Sequence, residues 1–373
     1  MTEKHLHIIT HDVPYPADFG GVIDAYYKIK FLHAIGVKIK LHCFTKKRPQ
    51  QAILEKYCDS VNYYPRNLIT GISLILPYII STRKDNRLLD NLSKDNYPIL
   101  FEGIHTTYHL YKNHLKNRKV FLRILNVETI YYQYLAKNEK NILKRSHYYI
   151  ESLLLKKYEK RIADKAKILA LSTTDQSIYS ELFKAKDIIY LPPFLPNTFT
   201  GSKIGCGNYC LYQGNLAVNE NEKAVLWLIK EIFSNLSQPL VIAGFKPSKK
   251  LINTAKQYKH ISIVESPSEI NMKLLIDNAQ INILPSFNKT GIKFKLINAL
   301  FNGRHCMVNF AGVEGSGLNN LCTIVETPTE FKQNIEFLFP QPFTLKEMQY
   351  RSAALKKLYN NEQNARLISE MLL

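Results

Sequence analysis

Along the chain, short apolar runs alternate with stretches of helical periodicity from the first residues onward. His5–Thr10 reads as a strand, residues 22–34 as a helix and residues 37–44 as a second strand, which together make a βαβ start. The alternation continues with strands at 98–102 and 119–124, a long helical stretch over about 128–163, and a strand at 167–171. One open, largely parallel sheet is the expected result.

The pattern breaks at Leu191-Pro192-Pro193-Phe194-Leu195-Pro196-Asn197, and the glycine- and polar-rich residues after it cannot sustain a helix or a central strand. Beyond it the alternation restarts, with strands at 209–213, 239–243, 261–264, 281–284, 305–309 and 322–325 and helices between them. The expected organisation is α/β: a first doubly wound domain over residues 1–195, a second over 196–345, and helices over 346–373 that could pack back on the first domain.

Length and composition agree with two cores. The 373 residues are 46% hydrophobic, which excludes a disordered chain. The longest uncharged apolar run, residues 71–80, is about half of a bilayer span, and the polar opening lacks a signal-peptide layout, so a cytoplasmic protein is expected. That run reads either as a buried core helix or as a segment lying in a membrane interface. Six cysteines without paired zinc spacing predict neither a disulfide nor a metal site.

Charge adds a direction. The formal net charge is +19, and residues 111–167 hold 15 basic against 5 acidic side chains, interleaved with Tyr131, Tyr132, Tyr134, Tyr148 and Tyr149. A nucleic acid, an anionic membrane surface or a phosphorylated substrate would each suit such a surface, as would plain solvation. No nucleic-acid-binding motif accompanies the charge, so nucleic acid is not the expected partner.

In doubly wound sheets ligands bind beyond the carboxyl ends of strands, so four strand-to-helix loops hold the candidate chemistry. The first carries Asp18, Gly20 and Gly21 directly before a helix whose free N–H groups can face an anion or a hydroxyl. It is neither a dinucleotide fingerprint nor a Walker loop. The second, Phe101-Glu102-Gly103-Ile104-His105, could project a carboxylate and an imidazole into a cleft. The third places Asn126 and Glu128 past a strand end, where Asn126 could equally cap the next helix.

The fourth loop is the most informative. After the strand ending near Pro285, Gly291 is expected to open a helix with Lys293 and Lys295 in its first turn, where cations oppose the helix dipole. A nucleotide diphosphate at that terminus would reverse the repulsion. Asn298, three residues after Lys295, shares its face and could bond ribose hydroxyls.

The combination of ADFGG (17–21), FEGIH (101–105), RILNVE (123–128), ILALSTTD (168–175), LPPF (191–194), LYQGN (211–215) and TGIKFKLINALFNGRHCMV (290–308) resembles GT-B glycosyltransferases of the family-four type, particularly bacterial enzymes of surface polysaccharide and lipopolysaccharide assembly. The resemblance spans essentially the whole chain. It implies two Rossmann-like domains facing a central cleft and hexosyl transfer from a nucleotide diphosphate sugar to a glycan or lipid-linked acceptor. It further implies retention of configuration without a metal ion or a cofactor, while the basic, tyrosine-bearing stretch 111–167 and the apolar run beside residue 72 lead to the separate expectation that the first domain docks on the anionic inner membrane. By position, Gly20 and Gly21 would lie against the donor phosphate or the acceptor, and Lys295 would hold the diphosphate. Gly214, Asn215 and Gly291 would complete the substrate loops, with His105, Asn126 and Glu128 as the catalytic candidates.

Three positions depart from the family pattern. Asn298 stands where a ribose-binding Glu is usual, Leu125 where a His is frequent, and Asn215 where many members have an Arg, leaving Lys293 as the second phosphate cation. A noncatalytic sugar-nucleotide binding protein and a sugar-nucleotide epimerase of the same fold are the alternatives.

Overall fold

The computed structural model describes residues 3–69, 71–196 and 201–372. Residues 197–200 of the expected linker lie outside this set. The chain divides into two compact units: Met1–Pro196 with Thr290–Ile292 and Tyr359–Leu373, and Asn197–Lys289 with Lys293–Leu358.

The first unit holds seven strands: β1 (His5–Thr10), β2 (Lys38–Thr45), β3 (Ser60–Pro65), β4 (Ile99–Glu102), β5 (Val120–Ile124), β6 (Lys167–Ala170) and β7 (Ile188–Tyr190). Their order is β3-β2-β1-β4-β5-β6-β7, and every pair is parallel. The second unit repeats the scheme with β8 (Cys210–Asn215), β9 (Leu240–Phe245), β10 (Ile261–Glu265), β11 (Ile281–Ile283), β12 (His305–Val308) and β13 (Thr323–Ile324), in the order β10-β9-β8-β11-β12-β13. In both sheets the order of strand addition reverses beside the first strand, between β1 and β4 and between β8 and β11. The carboxyl ends at these switch points are where this architecture places ligands.

Burial on both faces explains the near-continuous apolar strands. Ile9, Phe101, Leu122, Ile124 and Ile168 face one core of the first sheet, while Leu6, Ile8, Leu41, Leu100, Phe121 and Leu169 face the other. The second core includes Ala365 and Ile368 of the terminal helix Asn361–Met371. Lys4 Nζ donates to Ser369 O at 2.9 Å, and Asn361 exchanges two hydrogen bonds with the Leu195 backbone. The preceding helix, Leu345–Leu358, belongs to the second unit, so the last helices are divided between the two.

Several elements differ from expectation. Strands β3 and β7 escape the sequence pattern because both lie half-buried at the edges of the sheet and so present no continuous apolar run. The stretch read as one helix over 128–163 is two, Glu128–Asn138 and Ile142–Ile162, the second capped by Asn141. The apolar run at 71–80 is no buried core helix: it is loop up to Pro77, then the short helix Tyr78–Ser81. Ile72, Leu74 and Ile75 are exposed, while Leu76 and Ile80 are buried and Ile79 packs against the same core.

Candidate active site

In the first unit the helix Gly20–Ala34 starts at Gly20, with no side-chain cap and no acidic residue in its first turn. Its free N–H groups therefore carry an uncompensated positive end. Gly21 is required by packing: a Cβ there would stand 2.9 Å from His11 Cε1 and 3.2 Å from Leu125 Cδ1. Gly103, at φ +83°, similarly backs onto His105 Nδ1. The rings of His11 and His105 lie 5.3 Å apart, so two glycines and two imidazoles converge beyond β1 and β4. Burial and the arginines around them hold both imidazoles below the ordinary range, His11 at about 3. Both rings are neutral at physiological pH.

Asp18 accepts a hydrogen bond from Arg48, which also donates to Pro16 O at 2.7 Å, so this aspartate braces the loop. Glu102, expected beside His105, instead points into the core. It takes Lys28 Nζ at 2.6 Å, within a buried network that includes Asp24 and Arg123.

Asn126 does not cap the next helix, whose N-cap is Val127. The terminal amides are taken by Glu159, which accepts from Glu128 N at 3.0 Å, Thr129 N at 2.9 Å and the Tyr179 hydroxyl at 2.8 Å. Glu128 is buried, bonded to Asn126 and repelled by Glu159. Burial first and that repulsion second push its carboxyl up to about 8, so it holds its proton at neutral pH and can donate a hydrogen bond.

The fourth loop differs from its sequence reading. Gly291 has φ +68° and lies outside the helix, which runs Phe294–Asn302 with Lys293 at its N-cap. Lys295 stays in the first turn, but its ammonium reaches back to β8 and donates to the Tyr212 hydroxyl at 2.9 Å and to Asn221 Oδ1 at 3.0 Å. Burial, reinforced by Lys293 and opposed by Glu220, lowers its pKa to about 8. Gln213 Nε2 donates to Lys295 O at 2.8 Å and so fixes the helix start to the strand.

Gly214 and Asn215 end β8 beside this lysine. Asn215 Oδ1 accepts from Ala217 N at 3.1 Å and its carbonyl accepts from Asn221 Nδ2 at 2.9 Å, which shapes the turn. Gly214 tolerates a Cβ at ordinary distance, whereas one on the neighbouring Gly244 would stand 1.8 Å from Gly214 O. Asn298 Oδ1 accepts from Asn302 Nδ2 at 2.8 Å.

Each unit thus gathers its own candidates: Asp18, Gly20, Gly21, His105, Asn126 and Glu128 in the first, and Gly214, Asn215, Lys293, Lys295 and Asn298 in the second. Residues 290–292, including Gly291, group with the first unit. Sequence reasoning missed His11, Arg66 and Arg83 in the first unit and Tyr212, Gln213 and Asn221 in the second. His11, one residue past an expected strand, and Tyr212 and Gln213, inside LYQGN, carried a signal; Arg66, Arg83 and Asn221 carried none.

Residues 207–340 match the family described as glycosyl transferases group 1. A 44.6 kDa protein in the cps region of Klebsiella pneumoniae is 27% identical over 334 residues, 84% of either chain. Among solved structures, TarM aligns with TM-score 0.66 at 9% identity over 100% of this chain and 99% of its own. A glycosyltransferase from Rickettsia africae aligns with TM-score 0.65 at 13% identity over 100% and 98%. HepE from Anabaena, in complex with UDP and glucose, aligns with TM-score 0.65 at 11% identity over 99% of both chains. With parallel sheets of seven and six strands that share a 3-2-1-4-5-6 order, and with these likenesses end to end, the chain has the GT-B glycosyltransferase fold, and its second unit carries the match to glycosyl transferases group 1.

Proposed function

We propose that this protein is a glycosyltransferase that moves a hexosyl group from a nucleotide diphosphate sugar to a glycan or lipid-linked acceptor in surface polysaccharide assembly, without a metal and with retention of configuration. The observation that carries the reading is Lys295, an ammonium held in the first turn of a helix at the second sheet's switch point by Tyr212 and Asn221, with no carboxylate within 4.0 Å among the described residues. The match over 207–340 and the cps-region relative support it.

A departing nucleoside diphosphate gains negative charge as the glycosidic bond breaks. Lys295, Lys293 and the amides opening the helix Phe294–Asn302 would stabilise that charge, and Asn298 would bond the ribose. The uncapped helix end at Gly20 and Gly21 would face the donor phosphate or the acceptor. His105, Asn126 and the protonated Glu128 would orient acceptor hydroxyls, with Gly214, Asn215 and Gly291 shaping the loops. Because the leaving phosphate oxygen can take the acceptor proton, no paired carboxylates are needed.

A cytoplasmic protein resting on an anionic membrane completes the reading. No helix among the described residues is long and apolar enough to cross a bilayer. Instead Ile69, Ile72, Leu74 and Ile75 stand 84%, 72%, 92% and 80% exposed on one loop. Tyr78 N, just after this loop, donates to Glu151 Oε2 on the helix Ile142–Ile162, which exposes Ile142, Leu143, Tyr149 and Ile150 among Lys140, Lys144 and Arg145. Apolar side chains beside cations suit an anionic bilayer surface. Sedimentation with liposomes should show binding that rises with anionic lipid and weakens in salt.

The donor reading is tested by thermal shift with UDP, GDP, ADP and CMP, since a ligand of the native state raises Tm. One diphosphate should stabilise the protein, and none doing so would sink the reading. Acceptor-dependent turnover then separates a transferase from a noncatalytic binder, and epimer formation without acceptor would mark an epimerase.

A further inference from the structure

The first unit holds two arginines that its own side chains do not neutralise. Arg83 is only 4% exposed, yet among the described residues its guanidinium donates only to backbone carbonyls: Ile79 O at 2.6 Å and His11 O at 3.0 and 3.2 Å. Arg66 follows β3 on the adjoining segment, since Asn67 N donates to Thr82 O at 2.9 Å. One of its terminal nitrogens makes a long bond of 3.4 Å to Thr82 Oγ1, while its Nε is buried with no partner.

Among the described residues no carboxylate lies within 4.0 Å of either guanidinium. Asp12 and Glu128 act on Arg83 only at longer range, and Glu128 is protonated. Asp12 is instead 3.9 Å from Arg48, which also holds Asp18. The two imidazoles alongside, His11 and His105, each have a buried Nδ1 with no partner among the described residues and, kept neutral by burial, add no charge. Burying one guanidinium beside another without a counter-charge is unfavourable, and an oxyanion would relieve it while taking the planar fork of donors that arginine presents.

We propose that Arg66 and Arg83, beside His11 and His105, form an oxyanion subsite in the first unit that takes a phosphate or carboxylate group carried by the acceptor. The proposal rests on the glycosyltransferase reading and narrows it to acidic acceptors. The same chemistry could serve the donor's diphosphate, so the experiment separates the two sources.

Inorganic phosphate, and glucuronate with glucose as the neutral control, are titrated calorimetrically into the full chain at constant ionic strength, with and without saturating UDP. The expected result is binding of phosphate or glucuronate, none of glucose, little change on UDP saturation, and at least a tenfold loss in Arg66→Gln. Arg66→Lys, which keeps charge but loses the fork, should fall between. Arg66 is chosen because it is less buried than Arg83, and unchanged circular dichroism and an intact UDP response report that the variant folds. Abolition by UDP would assign the subsite to the donor and overturn the proposal. No binding of either anion, or equal binding by Arg66→Gln, would overturn it as well. Failure of UDP to bind at all would count against the transferase reading and is read independently of the phosphate titration.

Discussion

Lys295 Nζ lies 2.9 Å from the Tyr212 hydroxyl and 4.7 Å from the centre of that ring, so a phenol rather than a carboxylate holds this ammonium at the head of a helix. The arrangement desolvates the lysine without neutralising it. A phosphate bound there would meet an ammonium already fixed in place, whose proton burial loosens and Glu220 helps to hold.

Lys295→Ala should weaken binding of a nucleoside diphosphate by about 2 kcal/mol while leaving the nucleoside unaffected, since a bond to a charged group contributes about that much. The wild type should also lose diphosphate affinity as pH rises through about 8, because the neutral amine no longer attracts the anion. Lys295→Arg should flatten that profile. Calorimetry from pH 6.5 to 9.5 checks both, and equal losses for nucleoside and diphosphate would indicate a folding defect.

Asn298 accepts a hydrogen bond from Asn302 and keeps its own amide N–H group to donate to a ribose hydroxyl. Asn298→Ala should cost about 1 kcal/mol for a ribonucleotide and nothing for its 2′,3′-dideoxy analogue. Parallel losses would make the side chain structural.

The buried pair Glu128 and Glu159 links stability to pH. Their carboxyls titrate at about 8 and about 7 in the folded state against 4.5 when unfolded, so the native protein binds more protons between those values. Stability conferred by the protonated pair is complete below pH 4.5 and is lost as pH rises through 7 to 8. Glu128→Gln should flatten the decline in urea midpoint between pH 5 and 8.5. An unchanged slope would show that Glu128 titrates normally.

Asp24 accepts from Arg123 at 2.9 Å, Lys28 at 2.9 Å and Phe194 N at 2.8 Å, and it holds the helix Gly20–Ala34 to β5 and to the end of the first unit. Asp24→Ala should destabilise the protein by about 3–5 kcal/mol, because two buried cations lose their shared counter-ion. A urea midpoint within error of wild type would contradict this.

Much of the fold was written along the chain. Apolar runs such as Leu6–Ile9 and Leu240–Ala243 are buried on both faces of parallel sheets, so their hydrophobicity is local and visible, and the Pro-rich break near Leu191 marks the change of unit because proline cannot continue a central strand. The same locality placed Gly20, Gly21 and Lys295 at helix starts. Partners far apart in sequence were decided only by the fold. Lys295 meets Tyr212 because β8 and β11 are neighbours, and Arg66 meets Arg83 because β3 ends beside a turn that reads as core. Glu128 keeps its proton because the helix Ile142–Ile162 delivers Glu159 to its side. A sequence records which groups can ionise or bond. Burial and proximity set which of them do, and these exist only after strands and helices have packed.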